Sequence, residues 1–381
     1  MMESYLDNSA TTRVDDEVVE LIKKLMTEDY GNPASLHRKG FDAERYIREA
    51  RDTFARLLKC KESELFFTSG GTESDNLALT GAYMANRRRG NHIITTKIEH
   101  PAVSKTAEYL EKEGARVDLL DVDDKGHIDL SQLESLLCDD TVIVSVMHVN
   151  NEIGAIEPIE EIGDLIHKKQ PECLFHVDDI QGFGKLKPDL KKSHIDMLSA
   201  SAHKIHGPKG VGLFYKSERT KLTPMIYGGG HQNGLRSGTE NVPGVAGFAL
   251  ATEKMYADMD ESFRRAEVLR GTFMEGISDI EDIRINGGDM PYIISLSVKD
   301  VRAEVLLHAL EDEGVFVSAG SACSSNKPAV SATLKAIGVE PWQLESTVRI
   351  SLSHHTTEEE IMYAAEMLHK TIPQLRRFTR R

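Results

Sequence analysis

A lysine, an aspartate and a cysteine occupy places in this sequence where each could do chemistry. Lys204 closes the string SAHK, directly after a run that reads as a buried strand. A lysine amine ordinarily titrates near about 10.4, so to form a Schiff base it must be partly desolvated or sit beside other positive charge. Taken alone, such a lysine is usually a solvated loop residue. Asp178 follows the apolar run CLFHV. A carboxylate at the carboxyl end of a parallel strand points into the crevice where open α/β sheets bind ligands, although a lone aspartate there is more often a cap or a turn. Cys323 sits in AGSACSS, among small residues that predict an exposed, movable loop instead of the burial usual for cysteine. Its thiol, with an ordinary pKa of about 8.5, needs positive or hydrogen-bonding surroundings to react.

Other strings could serve a ligand that binds such a lysine. SGGTESDN, Ser69 to Asn76, follows a strand and opens a helix, so the amides around Gly71 and Thr72 can approach an anion. It is neither a Walker motif nor GxGxxG, and alone it is a glycine turn before a capped helix. With Ser201 and His203 it makes a plausible phosphate cup. His100, in KIEHPAV, can lie flat on an aromatic ring or move protons; otherwise it merely flanks a helix. Asn151, in MHVNNEIG, is a turn former or a cofactor donor. Arg349, in STVRISLS, can grip a carboxylate bidentately or serve in a structural ion pair. Asp178 could keep the pyridine nitrogen of a pyridoxal phosphate ring protonated, making the ring an electron sink, and Gln181 could donate to the ring oxygen.

These residues need a scaffold. From about Glu64 onward the sequence alternates: ELFFT, HIITTKIE, RVDLLDVD, TVIVSVMHV, CLFHVDDI, DMLSASAH and VGLFYK read as strands. The stretches between them, such as TESDNLALTGAYMANRRR, PAVSKTAEYLEKEG and IEEIGDLIHKKQ, read as amphipathic helices. Continuous apolar strands predict a mostly parallel sheet covered on both faces by helices, an α/β fold. A long helix is expected from Val242 toward Arg270. From Ile283 the pattern changes to a smaller α+β unit with strands YIISLSV and RISLS. The expected division is 14–258 for the large, cofactor-binding domain, and 1–13 with 259–381 for the small one.

Composition narrows the class. The 381 residues carry a net charge of −15, with 40% hydrophobic and 28% charged residues. Such a body is not built to wrap nucleic acid, and the basic runs Arg87 to Arg89 and Arg376 to Arg381 read first as solvated surface. No apolar run approaches the roughly 18 residues of a membrane span, and MMESYLDNSATT lacks the regions of a signal peptide. The four cysteines are scattered without a CxxC pair, which argues against a zinc site and against a disulfide framework, and no metal ligand is expected. A cytoplasmic location is expected.

Taken together and in order, YLDNSATT, SGGTES, IEH, HVNNEIG, HVDxxQ, SAHK, GGGHQxGxRSGT and GSACSS resemble the cysteine desulfurases of the class V aminotransferase family. The likeness spans nearly the whole chain and falls with the subgroup that has a longer cysteine loop. It implies a fold-type I enzyme with pyridoxal phosphate on Lys204, and with Asp178, Gln181 and His100 around the ring. Gly71, Thr72, Ser201 and His203 would hold the phosphate. Thr239 of RSGT would reach the partner subunit's phosphate, which implies a homodimer. Arg349, with Asn32 of GNPAS and Asn151, would hold the carboxylate of L-cysteine. Cys323 would take the sulfur as a persulfide and hand it to an acceptor protein, an iron–sulfur scaffold or a tRNA-thiolation enzyme. Selenocysteine lyase, a direct cysteine lyase, an aminotransferase and a non-catalytic cofactor-binding scaffold are the competing readings. Two departures stand out. Asp179 replaces the small residue common after the ring-binding aspartate, and strand alternation predicts that it faces away from the ring. NKPAVSATL replaces the usual sequence after the cysteine loop.

Overall fold

The computed structural model describes residues 2–319 and 330–379; Cys323 lies outside the described residues. Twelve strands occur among them, numbered in chain order: β1 (Ser4–Tyr5), β2 (Leu65–Thr68), β3 (His92–Thr96), β4 (Arg116–Leu120), β5 (Thr141–Met147), β6 (Leu174–Asp178), β7 (Met197–Ser201), β8 (Gly212–Lys216), β9 (Ile283–Asn286), β10 (Ile293–Val298), β11 (Val315–Phe316) and β12 (Thr347–Ser351). Seven of them form one sheet in the order β2-β8-β7-β6-β5-β3-β4. Strands β3 to β7 run parallel, while β8 is antiparallel to both β7 and β2. The fold is therefore α/β with a mostly parallel central sheet. Every residue of β5, TVIVSVM, is buried. β-Branched side chains suit a pleated surface covered on both sides.

A smaller antiparallel sheet has the order β12-β10-β9, and β1 pairs in parallel with β11. Leu6, Phe273, Tyr292, Leu296 and Ile350 belong to its core, which is separate from the core around Phe54, Phe175 and Phe248. The expected long helix is in fact two, Val242–Ala257 and Met259–Gly276, broken at Asp258 with φ −118 and ψ 17. The physical reason is a change of partner. Val245 and Phe248 pack into the first core, whereas Ala266, Leu269 and Phe273 pack into the second. The two helices need different axes, and the chain turns between them. The helix expected after β2 is continuous from Gly71 to Asn86 but carries a π turn at Leu77–Gly81.

Two helices precede the alternating region, Asp16–Thr27 and Arg38–Leu58. In the second, Ala43, Ile47, Ala50, Phe54 and Leu58 recur at three- and four-residue steps and are buried, the stripe of an amphipathic helix. Phe54 meets Phe248 edge-on at 5.0 Å between ring centroids. The sheet's carboxyl edge positions the candidate residues: Asp178 ends β6, Ser201 ends β7, and His100 and Asn151 follow β3 and β5.

Close packing governs helix Ile159–Lys169, where a Cβ on Gly163 would lie 1.9 Å from the Ser193 carbonyl oxygen. Gly163→Ala should therefore lower stability by about 1–3 kcal/mol through overpacking, against the gain of about 1 kcal/mol that helix propensity alone predicts. Urea unfolding followed by circular dichroism checks the sign.

Candidate active site

One cavity of about 330 Å³ opens at the carboxyl edge of the large sheet. The turn after β7 supplies Ser201, His203 and Lys204 to its wall, and β6 with its following turn supplies Asp178 and Gln181. Gly71, Thr72, His100, Asn151 and Arg349 also line it. Ten residues from six stretches of chain thus meet at one place. Two described candidates, Asn32 and Thr239, do not line it. Asn32 is exposed, and its Oδ1 accepts a hydrogen bond from the Ala34 amide at 2.9 Å. Thr239 is exposed and lines a separate depression with Ser69 and Gly210. Cys323 lies outside the described residues.

Lys204 Nζ donates to the carbonyls of Ser9 and of Ala10, the latter at 2.9 Å. The N-terminal stretch is held against this turn by backbone bonds from Thr12 to His203 and from Asp15 to His206, at 2.9 and 3.0 Å. Asp7, Ser9 and Ala10 therefore line the cavity, although the motif reading gives them no role in it. YLDNSATT is the signal that was available.

The charges are set by burial. Asp178 accepts from the Ile180 amide at 3.0 Å. Burial pushes its carboxyl up to about 6, with the neighbouring Asp179 adding to the rise and the Ile180 amide and Lys204 opposing it. Beneath it lie two fully buried carboxyls, Asp75 and Glu99, both pushed up by burial and then by the Asp178 charge. Burial, and after it the Lys204 charge, holds His100 and His203 down to about 4, so both rings are neutral at physiological pH. His100 Nδ1 accepts from the Ala102 amide at 3.1 Å. It thus caps the helix Pro101–Lys112 and lines the cavity at once, so both of its readings hold. Asp179 turns away from the cavity, as alternation predicts, and its Oδ1 lies 2.6 Å from His148 Nδ1.

Arg349 is fixed from two sides. One terminal nitrogen meets Asp7 Oδ1 at 2.7 Å and the other donates to the Asn151 carbonyl at 2.8 Å. Its Nε is buried with no hydrogen-bond partner among the described residues. A guanidinium so placed has a donor to spare for an incoming anion.

The aminotransferase class-V family pattern matches residues 4–363. This chain belongs to the class-V aminotransferase family. The cysteine desulfurase IscS of Clostridium botulinum (strain Hall) is 41% identical over 378 residues, spanning 98% of this chain and 95% of that one. IscS of Vibrio vulnificus (strain YJ016) is 43% identical over 380 residues, spanning 98% and 93%. A solved NifS-like protein superposes with a TM-score of 0.93 at 38% identity, covering 98% of this chain and 100% of its own.

The cofactor of this class-V aminotransferase is pyridoxal phosphate, and the cavity fits it. A lysine amine and a buried carboxylate face the same space. Ser201 Oγ, also on its wall, is buried with no hydrogen-bond partner among the described residues, as suits a donor reserved for phosphate. A Cβ on Gly71 beside it would lie 2.1 Å from Ile180 Cδ1 and push that side chain aside; with glycine, backbone and ligand can approach closely there.

A pH dependence follows. The Asp178 carboxyl is charged only above about pH 6, and the charged form is the one that can face a protonated ring nitrogen. Cofactor affinity of the apoprotein should fall as pH drops through 6. Asp178→Asn should weaken binding by at least about tenfold at pH 8 and remove that part of the pH dependence. Absorbance titration with pyridoxal phosphate across the range measures both.

Proposed function

We propose that this protein takes sulfur from L-cysteine as a persulfide on Cys323, releases L-alanine and passes the sulfur to an acceptor protein. The protein is a cysteine desulfurase. The observation that carries this reading is that an amine from the end of β7 and a guanidinium from β12 serve one cavity. An amino-acid substrate needs both: its amino group would enter beside Lys204, and Arg349 would hold its carboxylate.

The residues divide the work as follows. Lys204 would hold the cofactor through its amine, with Asp178 toward the ring nitrogen and Gln181 toward the ring oxygen. Gly71, Thr72, Ser201 and His203 would hold its phosphate, and Asn151 would lie alongside the ring. The bound cofactor supplies a sink for the electron pair left when Cα loses its proton. His100 is neutral, so it can stack on the ring and move a proton between substrate and solvent. The Cys323 thiolate attacks the substrate Sγ; the Cβ–Sγ bond breaks, and its electron pair stays with the three-carbon fragment, which takes up protons to leave as alanine. Cys323 then carries the second sulfur, and no external oxidant is needed.

The finer assignments rest on the same reading. Exposed Thr239 suits a phosphate contact in the partner subunit of a homodimer. The acceptor is an iron–sulfur scaffold or a tRNA-thiolation enzyme, and the location is cytoplasmic; no helix among the described residues is long and apolar enough to cross a membrane. We assign residues 14–258 to the cofactor domain, and 1–13 with 259–381 to the small domain. The support is that the seven-stranded sheet lies wholly in the first and β9, β10 and β12 in the second.

Purified enzyme given L-cysteine and a thiol reductant should release sulfide, and Cys323→Ala should release almost none. Equal sulfide from both would replace the persulfide route with direct lysis. Arg349→Lys keeps the charge but loses the planar fork, so KM for L-cysteine should rise about tenfold or more with a smaller change in kcat. Steady-state kinetics on the two proteins separates these terms.

A further inference from the structure

Behind the turn that carries Lys204, three histidines and an aspartate converge from three separate stretches of chain. Asp15 precedes the helix Asp16–Thr27, His206 lies two residues beyond Lys204, and His354 and His355 follow β12. One donor atom from each lies within 4.8 Å of every other. The rings are in contact, with centroids 4.2 Å apart for His206 and His354, 4.7 Å for His206 and His355, and 3.9 Å for His354 and His355.

Several features mark this as more than incidental packing. Asp15 stands at a helix N-cap in extended conformation, where an aspartate ordinarily accepts from first-turn amides. Its side chain makes no such bond. Oδ1 instead lies 2.7 Å from His355 Nε2, and the carboxylate is buried. His206 adopts φ +63, a strained value for a residue with a side chain. Its Nδ1 lies 2.8 Å from the Arg13 carbonyl. A carbonyl only accepts, so the neutral ring carries its proton there and Nε2 keeps the lone pair. Metal-binding histidines characteristically make such a bond with the second ring nitrogen. His354 Nδ1 is buried with no hydrogen-bond partner among the described residues.

We propose that Asp15, His206, His354 and His355 bind one divalent transition-metal ion of the zinc class. Three imidazoles and one carboxylate are a donor set that zinc accepts in tetrahedral geometry, with bonds of about 2.0–2.2 Å. Such a shell puts its ligand atoms about 3.4 Å apart, so the four groups must close in from their present spread. His354 and His355 lie on the stretch after β12, and the His355 side chain is 50% exposed, which gives an ion a way in. Two cations face the cluster. Lys254 Nζ lies 3.6 Å from Asp15 Oδ2, and Arg265 donates to the carbonyls of His354 and Thr356. Lys254 also pairs with Glu17 at 2.9 Å, so it can keep that partner while Asp15 turns to the metal. Arg265 is already committed to carbonyls. With four protein ligands the shell is closed, which makes the ion a clamp and not a catalyst. It ties the N-terminal stretch, the turn behind Lys204 and the segment after β12 to one point.

The test uses cofactor-loaded enzyme stripped of metal by a chelator and titrated with Co²⁺, then with Zn²⁺. The wild type should take up one equivalent of Co²⁺ with the visible bands of a tetrahedral site, lose them to Zn²⁺, and melt at a higher temperature when metal is bound. His355→Ala removes an exposed ligand at little risk to folding and should weaken Co²⁺ binding by at least about tenfold; His355→Gln should behave likewise. Running the same titration on Cys323→Ala separates this site from the loop thiol and should leave the bands in place. Failure of the wild type to bind, undiminished binding in both His355 variants, or bands that vanish with Cys323→Ala would overturn the proposal.

Discussion

The stretch from Asp7 to Asp15 holds the site together. Its carbonyls at Ser9 and Ala10 receive the Lys204 amine, and its backbone runs hydrogen-bonded along the turn that carries that lysine. Asp7 grips Arg349, and the Asn8 side chain donates to the Ser351 carbonyl at 2.9 Å. One short segment therefore touches both the large sheet's carboxyl edge and β12 of the small sheet. The distance between the amine and carboxylate anchors of a substrate is fixed through it. Side chains positioned on the ends of strands gain little precision unless something ties those strands together, and here that tie is backbone.

A second constraint is electrostatic. Asp75, Glu99 and Asp178 crowd a dry region under the cavity, where three ionised carboxyls would repel strongly. Glu99 accepts from the Met147 amide and the Thr96 hydroxyl at 2.9 and 2.8 Å, which ties it to the sheet. Asp178 is the member on which the Lys204 charge acts. The upward push on Asp178 is what a cationic ring nitrogen would relieve, so cofactor binding and the charge state of this cluster are linked. Asp179 adds to that push even while turned away, but part of its charge is met by His148 and by the buried Lys185, whose pKa burial lowers to about 7.

Much of this was legible in the residues themselves. Asp178, Ser201 and Lys204 end or follow apolar runs, and strand ends in an open sheet converge by geometry. That is why so many candidates from distant motifs meet. Asn32 and Thr239 were readable as motif members but not as neighbours, because a turn or an exposed bend has no periodicity that says where it points. YLDNSATT marked the stretch, but the grip of Ser9 and Ala10 on Lys204 was not readable in it, since backbone carbonyls leave no mark on side-chain pattern. The break at Asp258 was hidden for a different reason: the apolar stripe continues through it while the core it faces changes. The helices before Glu64 carry clear apolar stripes that a helical period reveals.

The way the N-terminus is used also has a consequence for timing. Asn8 and Ser351 are 343 positions apart, and Ser4 pairs with Val315. A ribosome delivers the first member of each pair long before the second. The large sheet, complete by Lys216, can order while the leading segment still lacks the strand it will join. The anchoring of Arg349 waits for almost the entire chain, so such an enzyme acquires its substrate specificity among the last events of its own synthesis.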